Sequence, residues 1–171
     1  MKRKMKVYLD TSVISALFDE RNPERKSLTE AFFKESPMHR GAPRRMKIGL
    51  FSREIENFEP FISEITSAEI KRTPDIELGS KMKEVISRFS ILPLTDDVEW
   101  LANEYTRYGA VPETYPEDAY HIAIAVINNL DFLLSWNFKH IVRRKTRDIV
   151  KMINTLNRFR QIEIMTPAEL L

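Results

Sequence analysis

Short apolar runs alternate with helix-like patterns along the chain. Five runs favour β-strands, at residues 6–9, 60–63, 90–93, 132–135 and 162–165. The stretches between them have the spacing of apolar positions that is typical of helices, after residue 10 and over about 24–34, 64–71, 77–89, 96–108, 116–127 and 146–158. Strands that alternate with helices in this way pair in parallel and are covered on both faces. The pattern therefore predicts an α/β fold, with three α/β/α layers around a central parallel sheet of about five strands.

Capping residues mark several of the predicted helix ends. Thr11 or Ser12 can cap the first helix, and Gly109 can end the fifth. Pro116 suits the first turn of the sixth helix, whose residues 119–127 are almost continuously apolar. We therefore expect the sixth helix to be buried on most sides.

The composition excludes several classes of protein. The 171 residues suffice for one domain with a substantial core, and the hydrophobic fraction of 43% is typical of a globular protein. No apolar run approaches the roughly 20 residues of a membrane span, and the basic amino terminus reaches Asp10 too soon for a secretory signal. Without cysteine, disulfides, thiolate metal sites and cysteine catalysis are excluded. We expect a single cytoplasmic domain over residues 1–171 that makes no membrane contact.

The positive charge of the chain is concentrated in residues 36–53. This segment has five basic residues and no acid, so the rest of the chain, with 22 basic and 25 acidic residues, has a net charge of −3. A basic segment with proline and glycine can be a solvated insertion, which we favour, or a contact for nucleic acid.

Four polar residues stand where predicted strands pass into loops or helices: Asp10, Glu69, Asp118 and Asn137. In an open parallel sheet the loops at the carboxyl ends of the strands meet in one crevice. Carboxylates that meet there repel one another unless a cation joins them, and oxygen ligands suit a hard divalent ion. Each acid alone could instead be a helix cap, a dipole partner or a solvated residue. Their common placement favours a metal site.

The segments around these residues resemble the motifs of PIN-domain nucleases, in particular of VapC-type toxins. The resemblance rests on VYLDTSV at residues 7–13, FISEITSAEI at 61–70, DAYHIAIA at 118–125 and DFLLSWNFKHI at 131–141. The closing TPAELL, at 166–171, is also similar. The motifs are short, but four of them in the right order cover nearly the whole chain outside residues 36–53.

The resemblance implies a metal-dependent endoribonuclease that uses Mg²⁺ or Mn²⁺ and leaves 5′-phosphate and 3′-hydroxyl ends. Asp10, Glu69 and Asp118 would hold the ion, and Asn137 would complete the catalytic set. Thr11, Ser12 and Ser135 would support the site by hydrogen bonds. The resemblance also implies the toxin of a type II toxin–antitoxin pair, with RNA as substrate, a small antitoxin as partner and a homodimer as the assembly.

The chain departs from this family pattern in two places. Asn137 stands where many relatives have a fourth acid, and an amide oxygen is a neutral, weaker ligand. Asp131 is a poor replacement, because it begins the fourth strand and each strand residue adds roughly 3.3 Å of distance from the carboxyl end. The second departure is the insertion at 36–53. Because of Asn137, the alternative function is a degenerate PIN-like module that binds RNA or protein without significant turnover.

Several other residues leave alternatives open. His121 shares a helix face with Asp118, so it can hydrogen-bond to a site carboxylate, although a packed histidine is the commoner outcome. Glu64 competes with Glu69 for the second acidic role, and His39 and His140 have no partner at the spacing of zinc ligands. Trp136 can stack on a base or pack beside the fourth strand. The chain also has a basic run after Asn137, which can be a solvated face or a phosphate contact. It consists of Lys139, Arg143, Arg144, Lys145 and Arg147.

Two phosphoryl-transfer families with acidic sites on α/β folds fit less well. Haloacid-dehalogenase-like phosphatases need an acid two residues after the nucleophilic aspartate, where this chain has Ser12. Receiver domains need paired acids after the first strand, and here Leu9 precedes Asp10. Both families are therefore disfavoured.

Overall fold

The computed structural model describes residues 4–35 and 58–171, and within them it contains one parallel sheet of five strands. The strand order is β3-β2-β1-β4-β5, with β1 at the centre. The strands are β1 (Met5–Leu9), β2 (Phe58–Ser63), β3 (Ser90–Leu92), β4 (Phe132–Leu134) and β5 (Glu163–Met165). Every neighbouring pair is parallel. The predicted parallel sheet of five strands is confirmed.

Seven helices connect and cover these strands in the described part of the chain. They are α1 (Thr11–Ala16), α2 (Pro23–Glu35), α3 (Glu64–Lys71), α4 (Ile76–Ile86), α5 (Asp96–Arg107), α6 (Pro116–Ile127) and α7 (Arg144–Leu156), and a 3₁₀ turn, Pro167–Leu170, follows β5. The prediction that Thr11 or Ser12 caps α1 was wrong. Asp10 is the cap, because its carboxylate accepts the N–H of Val13.

The helices form one layer on each face of the sheet, with a hydrophobic core on each side. Tyr8 points from β1 into the core beneath α5, α6 and α7, whereas Val7 and Leu9 point into the core beneath α1, α2 and α4. This alternation is the two-residue period of a strand. All three side chains are fully buried. The three-layer α/β/α architecture is therefore confirmed.

The strand order places a crevice between β1 and β4. The chain leaves β1 toward β2 and β3 on one side, whereas β4 and β5 lie on the other, so the connections diverge at this point. Leu9 pairs with Leu134, and the N–H of Asp10 donates to the carbonyl of Leu134 at 3.2 Å. Ligands of open parallel sheets bind at such a switch point, beyond the carboxyl ends of the strands.

Two predictions concern other parts of the chain. The basic segment at residues 36–53, with His39, lies outside the described residues. Among the residues that the structure describes, no helix is both long and apolar enough to cross a membrane.

Candidate functional site

Asp10 lies at the floor of the crevice, directly after β1. Its side chain accepts hydrogen bonds from the hydroxyls of Ser12 and of Ser135, the latter at 2.6 Å, and from the N–H of Val13 at 3.2 Å. Only 3% of Asp10 is exposed. Burial raises the pKa of the Asp10 carboxyl above its ordinary value, although these hydrogen bonds oppose the increase. Asp10 is a buried carboxylate with a fixed orientation.

Ser12 and Ser135 join the loops that follow β1 and β4. The N–H of Trp136 donates to Ser12 Oγ at 2.8 Å, and the N–H of Asn137 donates to Ser135 Oγ at 2.9 Å. Each of these two hydroxyls in turn donates a hydrogen bond to the Asp10 carboxylate. The orientation of Asp10 is therefore coupled to the backbone that carries Asn137.

Glu69 reaches the crevice from α3, the helix after β2. Its Oε2 atom accepts the hydroxyl of Thr11 and lies 3.2 Å from Nε2 of His121. Partial burial alone would raise the pKa of Glu69, but the hydrogen bond and charge of His121 lower it below the ordinary value. Glu69 is therefore held in its ionised form by Thr11 and His121.

His121 is buried and lies between Tyr8 and Glu69. Its Nδ1 atom lies 2.6 Å from the hydroxyl of Tyr8, and its Nε2 atom contacts Glu69. Burial alone would lower the pKa of His121, but Tyr8, Glu69 and Asp10 together raise it well above the ordinary value. The sequence left two roles open for His121, a packed side chain or a hydrogen-bond partner of a site carboxylate. His121 has both roles, because it is buried and also bonded to Glu69.

Replacing His121 by leucine should destabilise the protein. The change removes one hydrogen bond from the Tyr8 hydroxyl, which keeps Ser63, and one from the Glu69 carboxylate, which keeps Thr11. Each such bond contributes about 0.5–1.5 kcal/mol, so the two together contribute about 1–3 kcal/mol. We expect the free energy of unfolding, measured by urea denaturation, to fall by about that amount. His140→Leu is the control and should cost less, since His140 is only half-buried. Equal stability of wild type and His121→Leu would contradict this role.

Asp118 lies in the first turn of α6 and is held by residues of the loop after β4. Its Oδ1 atom accepts Nδ2–H of Asn137 at 3.0 Å, and its Oδ2 atom accepts Nδ1–H of His140 at 2.7 Å. Burial raises the pKa of Asp118 and the charge of Glu69 raises it further, whereas the hydrogen bond from His140 acts in the opposite direction. Asp118 is thus held at the edge of the crevice by the loop after β4.

The orientation of the Asn137 amide follows from its second contact. Its Oδ1 atom accepts the backbone N–H of His140 at 3.0 Å, and a backbone N–H can only donate. The nitrogen of the amide therefore faces Asp118. In this structure Asn137 acts toward Asp118 as a hydrogen-bond donor, so its oxygen is not turned toward the carboxylates.

His140 is the residue of the site that the sequence analysis missed. It contacts Asp118, and its ring lies 4.4 Å from that of Tyr115, which precedes α6. From the sequence, His140 was considered only as a possible zinc ligand. A usable signal was the position of His140 three residues after Asn137, where an asparagine side chain commonly accepts a backbone N–H and closes a turn.

The remaining candidates lie away from the carboxylates. Glu64 begins α3 and accepts the N–H of Leu94, and Asp131, at the other end of β4, accepts the N–H of Lys6 and pairs with Arg160. Trp136 is buried and donates from Nε1 to Thr29 at 2.9 Å. In the basic run, Arg144 pairs with Asp148 and Arg147 with Glu169.

The electrostatics of the site favour a cation. Asp10, Glu69 and Asp118 are three acidic side chains in a partly buried crevice, and a bound cation would offset the repulsion between their ionised forms. Within residues 4–35 and 58–171, however, no three His, Asp or Glu side chains are arranged so that they could hold a metal ion. Any ion here would bind through fewer protein groups, as Mg²⁺ commonly does when it keeps most of its waters.

Fold and site together define an α/β protein with three carboxylates at the switch point of a parallel sheet. Among solved structures, its fold is similar to that of a chain in the crystal structure of VapBC2 from Rickettsia felis bound to a DNA fragment from their promoter. The TM-score is 0.51 and the sequence identity 15%, over 94% of this chain and 97% of that chain. No protein-family model and no curated protein matches the chain. The likeness therefore establishes the fold alone.

Proposed function

We propose that this protein is a metal-dependent endoribonuclease of the PIN class. The observation that supports the proposal is that three acids from different parts of the chain are bound to the loops after β1 and β4: Asp10 follows β1, Glu69 accepts the hydroxyl of Thr11, and Asp118 accepts the amide of Asn137. Burial raises the pKa of Asp10 and of Asp118 above their ordinary values, although hydrogen bonds and the charge of nearby histidine act in the opposite direction. A divalent cation, bound together with a phosphodiester, would favour the ionised form of these carboxylates.

The donor chemistry of the site fits Mg²⁺ or Mn²⁺. Only carboxylate oxygens are offered, with no thiolate, and the two histidines are occupied by Glu69 and Asp118. One or two of the carboxylates of Asp10, Glu69 and Asp118 would hold an ion, with water and phosphate oxygens as its other ligands. The ion, when bound, supplies an acidified water and neutralises charge on the phosphate.

The other residues orient the carboxylates. Ser12 and Ser135 fix Asp10, Thr11 and His121 fix Glu69, and Asn137 and His140 fix Asp118: each acid thus has two side-chain donors. Such donors reduce the reorganisation that an acid must undergo when it binds its ligand, and removing them commonly costs 10–100-fold in metal affinity or activity. None of these groups is a covalent nucleophile in the proposed reaction, since water is the attacking group.

The biological role that we propose is that of the toxin in a type II toxin–antitoxin pair. The VapC-like motifs support this role, and so does the similarity of fold to a chain of the VapBC2 complex. An antitoxin would cover the acidic crevice, and two copies of the chain would form a homodimer. Co-expression with the product of an adjacent small reading frame, followed by size-exclusion chromatography with light scattering, tests both partners.

A degenerate module that binds RNA or protein without turnover is the second candidate. It is favoured by Asn137, which satisfies Asp118 with a neutral donor where a fourth acid would require a cation. Titration calorimetry with Mg²⁺ and Mn²⁺ distinguishes the two candidates, together with incubation of RNA with and without EDTA. The nuclease proposal requires metal binding and EDTA-sensitive cleavage with 5′-phosphate products. Intact RNA and no heat of binding would favour the module.

Glu69→Gln and Glu64→Gln form a matched pair on α3. Glutamine at 69 keeps the contacts with Thr11 and His121 but removes the charge, so we expect metal affinity and cleavage to fall about 10-fold. Glutamine at 64 should leave both unchanged, because Glu64 contacts Leu94 instead. Calorimetry and initial cleavage rates measure the two effects. The reverse order of the two variants would assign the acidic role to Glu64.

A further inference from the structure

A basic aromatic surface borders the site and has no role in the chemistry above. Phe138 follows Asn137, and its side chain is 53% exposed. The guanidinium of Arg25, on α2, lies 5.4 Å from the Trp136 ring centre and 5.9 Å from that of Phe138. We call these three residues the aromatic platform. From it, we infer that the protein binds an unpaired nucleobase of single-stranded RNA on Phe138.

The platform is rigid on its inner side. Trp136 is buried and is anchored by its Nε1–H bond to Thr29, while its backbone N–H donates to Ser12. The ring of Phe138 lies 6.1 Å from that of Trp136, at an interplanar angle of 51°. The exposed ring therefore lies beside a fixed partner, which lowers the entropic cost of stacking on it.

The position of the platform relative to the carboxylates identifies its occupant. Asn137 points toward Asp118, and the side chains of the residues on either side of it, Trp136 and Phe138, form the platform. A strand whose phosphate reaches Asp118 therefore has a neighbouring nucleotide close to Phe138. This step rests on the proposed function, because it takes the crevice as the place where the phosphate binds.

The charge around the platform also suits a nucleic acid. An open cleft of about 410 Å³ between α2 and the β4 loop has Arg21, Arg25 and Glu24 as the charged residues of its lining, and Arg21 is paired with Asp19. Within the described parts of the chain Arg25 has no carboxylate partner, so its charge is available to a phosphate. On the other side of Phe138, Arg144 and Arg147 are neutralised by Asp148 and Glu169. We therefore place the strand on the α2 side.

Stacking on an aromatic ring requires an unpaired base, which makes the expected ligand single-stranded. Base–aromatic stacking tolerates every base, because each has a π-face. A base paired inside an A-form duplex does not offer that face to a protein ring. Phe138 thus selects unpaired segments over duplexes and supplies little sequence preference of its own.

Binding is tested in EDTA, where cleavage does not occur, by fluorescence anisotropy with a fluorescein-labelled single-stranded RNA of mixed sequence and with its duplex. We expect preferential binding of the single strand. Phe138→Ala should weaken that binding about 10-fold, and Phe138→Trp should retain it. Phe138→Leu, which keeps an apolar side chain without a π-face, should behave like the alanine variant. Trp100→Ala is the matched control, because Trp100 is a half-exposed ring on α5 and should leave binding unchanged.

Three results with RNA alone would overturn the inference. They are equal binding of single strand and duplex, no binding by the wild type, and wild-type affinity in both Phe138→Ala and Phe138→Leu. Loss of antitoxin binding in Phe138→Ala with unchanged RNA affinity would also overturn it, by assigning the surface to a protein partner. RNA binding that depends on Phe138 in a protein that never cleaves would retain the platform and reject the nuclease proposal.

Discussion

Asp10→Asn and Asp118→Asn should each lower the rate of RNA cleavage by at least about 100-fold, while the fold remains intact. This is the size of effect found when one preorganised electrostatic group is removed from a reacting centre. Asparagine has nearly the shape of aspartate but no charge to hold a cation. Single-turnover cleavage of a labelled RNA with saturating Mg²⁺ measures the loss, and thermal unfolding verifies the fold.

The helix-capping role of Asp10 requires a separate control. Asparagine caps a helix about as well as aspartate, so Asp10→Asn should retain the start of α1. Asp75 caps α4 in the same way, by accepting the N–H of Leu78 at 3.0 Å, and it lies outside the site. Asp75→Asn should therefore cleave RNA at the wild-type rate. Near wild-type cleavage by Asp10→Asn or Asp118→Asn would show that the proposed site is wrong.

The fold could be predicted from the sequence because its signals are local. The β4 strand is a continuous apolar segment and helix α6 is almost continuously apolar over residues 119–127, and such segments are buried wherever the chain places them. The strand ends shifted by a residue or two, as for β5, which begins at Glu163 and not at residue 162. The cap of α1 was misassigned because Asp10 was considered for the site and its capping bond was treated as an alternative. The Asp10 carboxylate both caps α1 and belongs to the candidate site.

Only those residues of the candidate site that directly follow a strand could be placed from the sequence. Asp10 and Asn137 follow β1 and β4 directly, so parallel pairing of these strands brings them together. The contacts of His121 with Tyr8 and of His140 with Asp118 join residues 113 and 22 positions apart. No periodicity encodes such contacts, because they depend on how α6 and the β4 loop pack against β1. The orientation of the Asn137 amide depends on a backbone N–H and is equally invisible in the sequence.

Asn137→Asp should make the stability of the protein depend on divalent metal. The substitution replaces the Nδ2 donor by a carboxylate oxygen about 3 Å from Oδ1 of Asp118, while the other oxygen keeps the N–H of His140. Two half-buried carboxylates at that distance repel each other unless a proton or a cation lies between them. In EDTA we expect the free energy of unfolding to fall by about 2 kcal/mol, the cost of a lost hydrogen bond with an uncompensated group.

Mg²⁺ or Mn²⁺ should restore that stability, because an ion that binds only the folded state stabilises it in proportion to the logarithm of its concentration over the dissociation constant. The same variant should cleave RNA at the wild-type rate or faster, since it supplies a fourth acid. Urea denaturation in EDTA and at increasing Mn²⁺ measures the effect, with the exposed Asn103→Asp as control. If Asn137→Asp in EDTA were as stable as wild type and gained nothing from metal, position 137 would not face the carboxylates. Metal-dependent stability without cleavage would instead favour the degenerate module, because the carboxylates would then bind an ion that performs no chemistry.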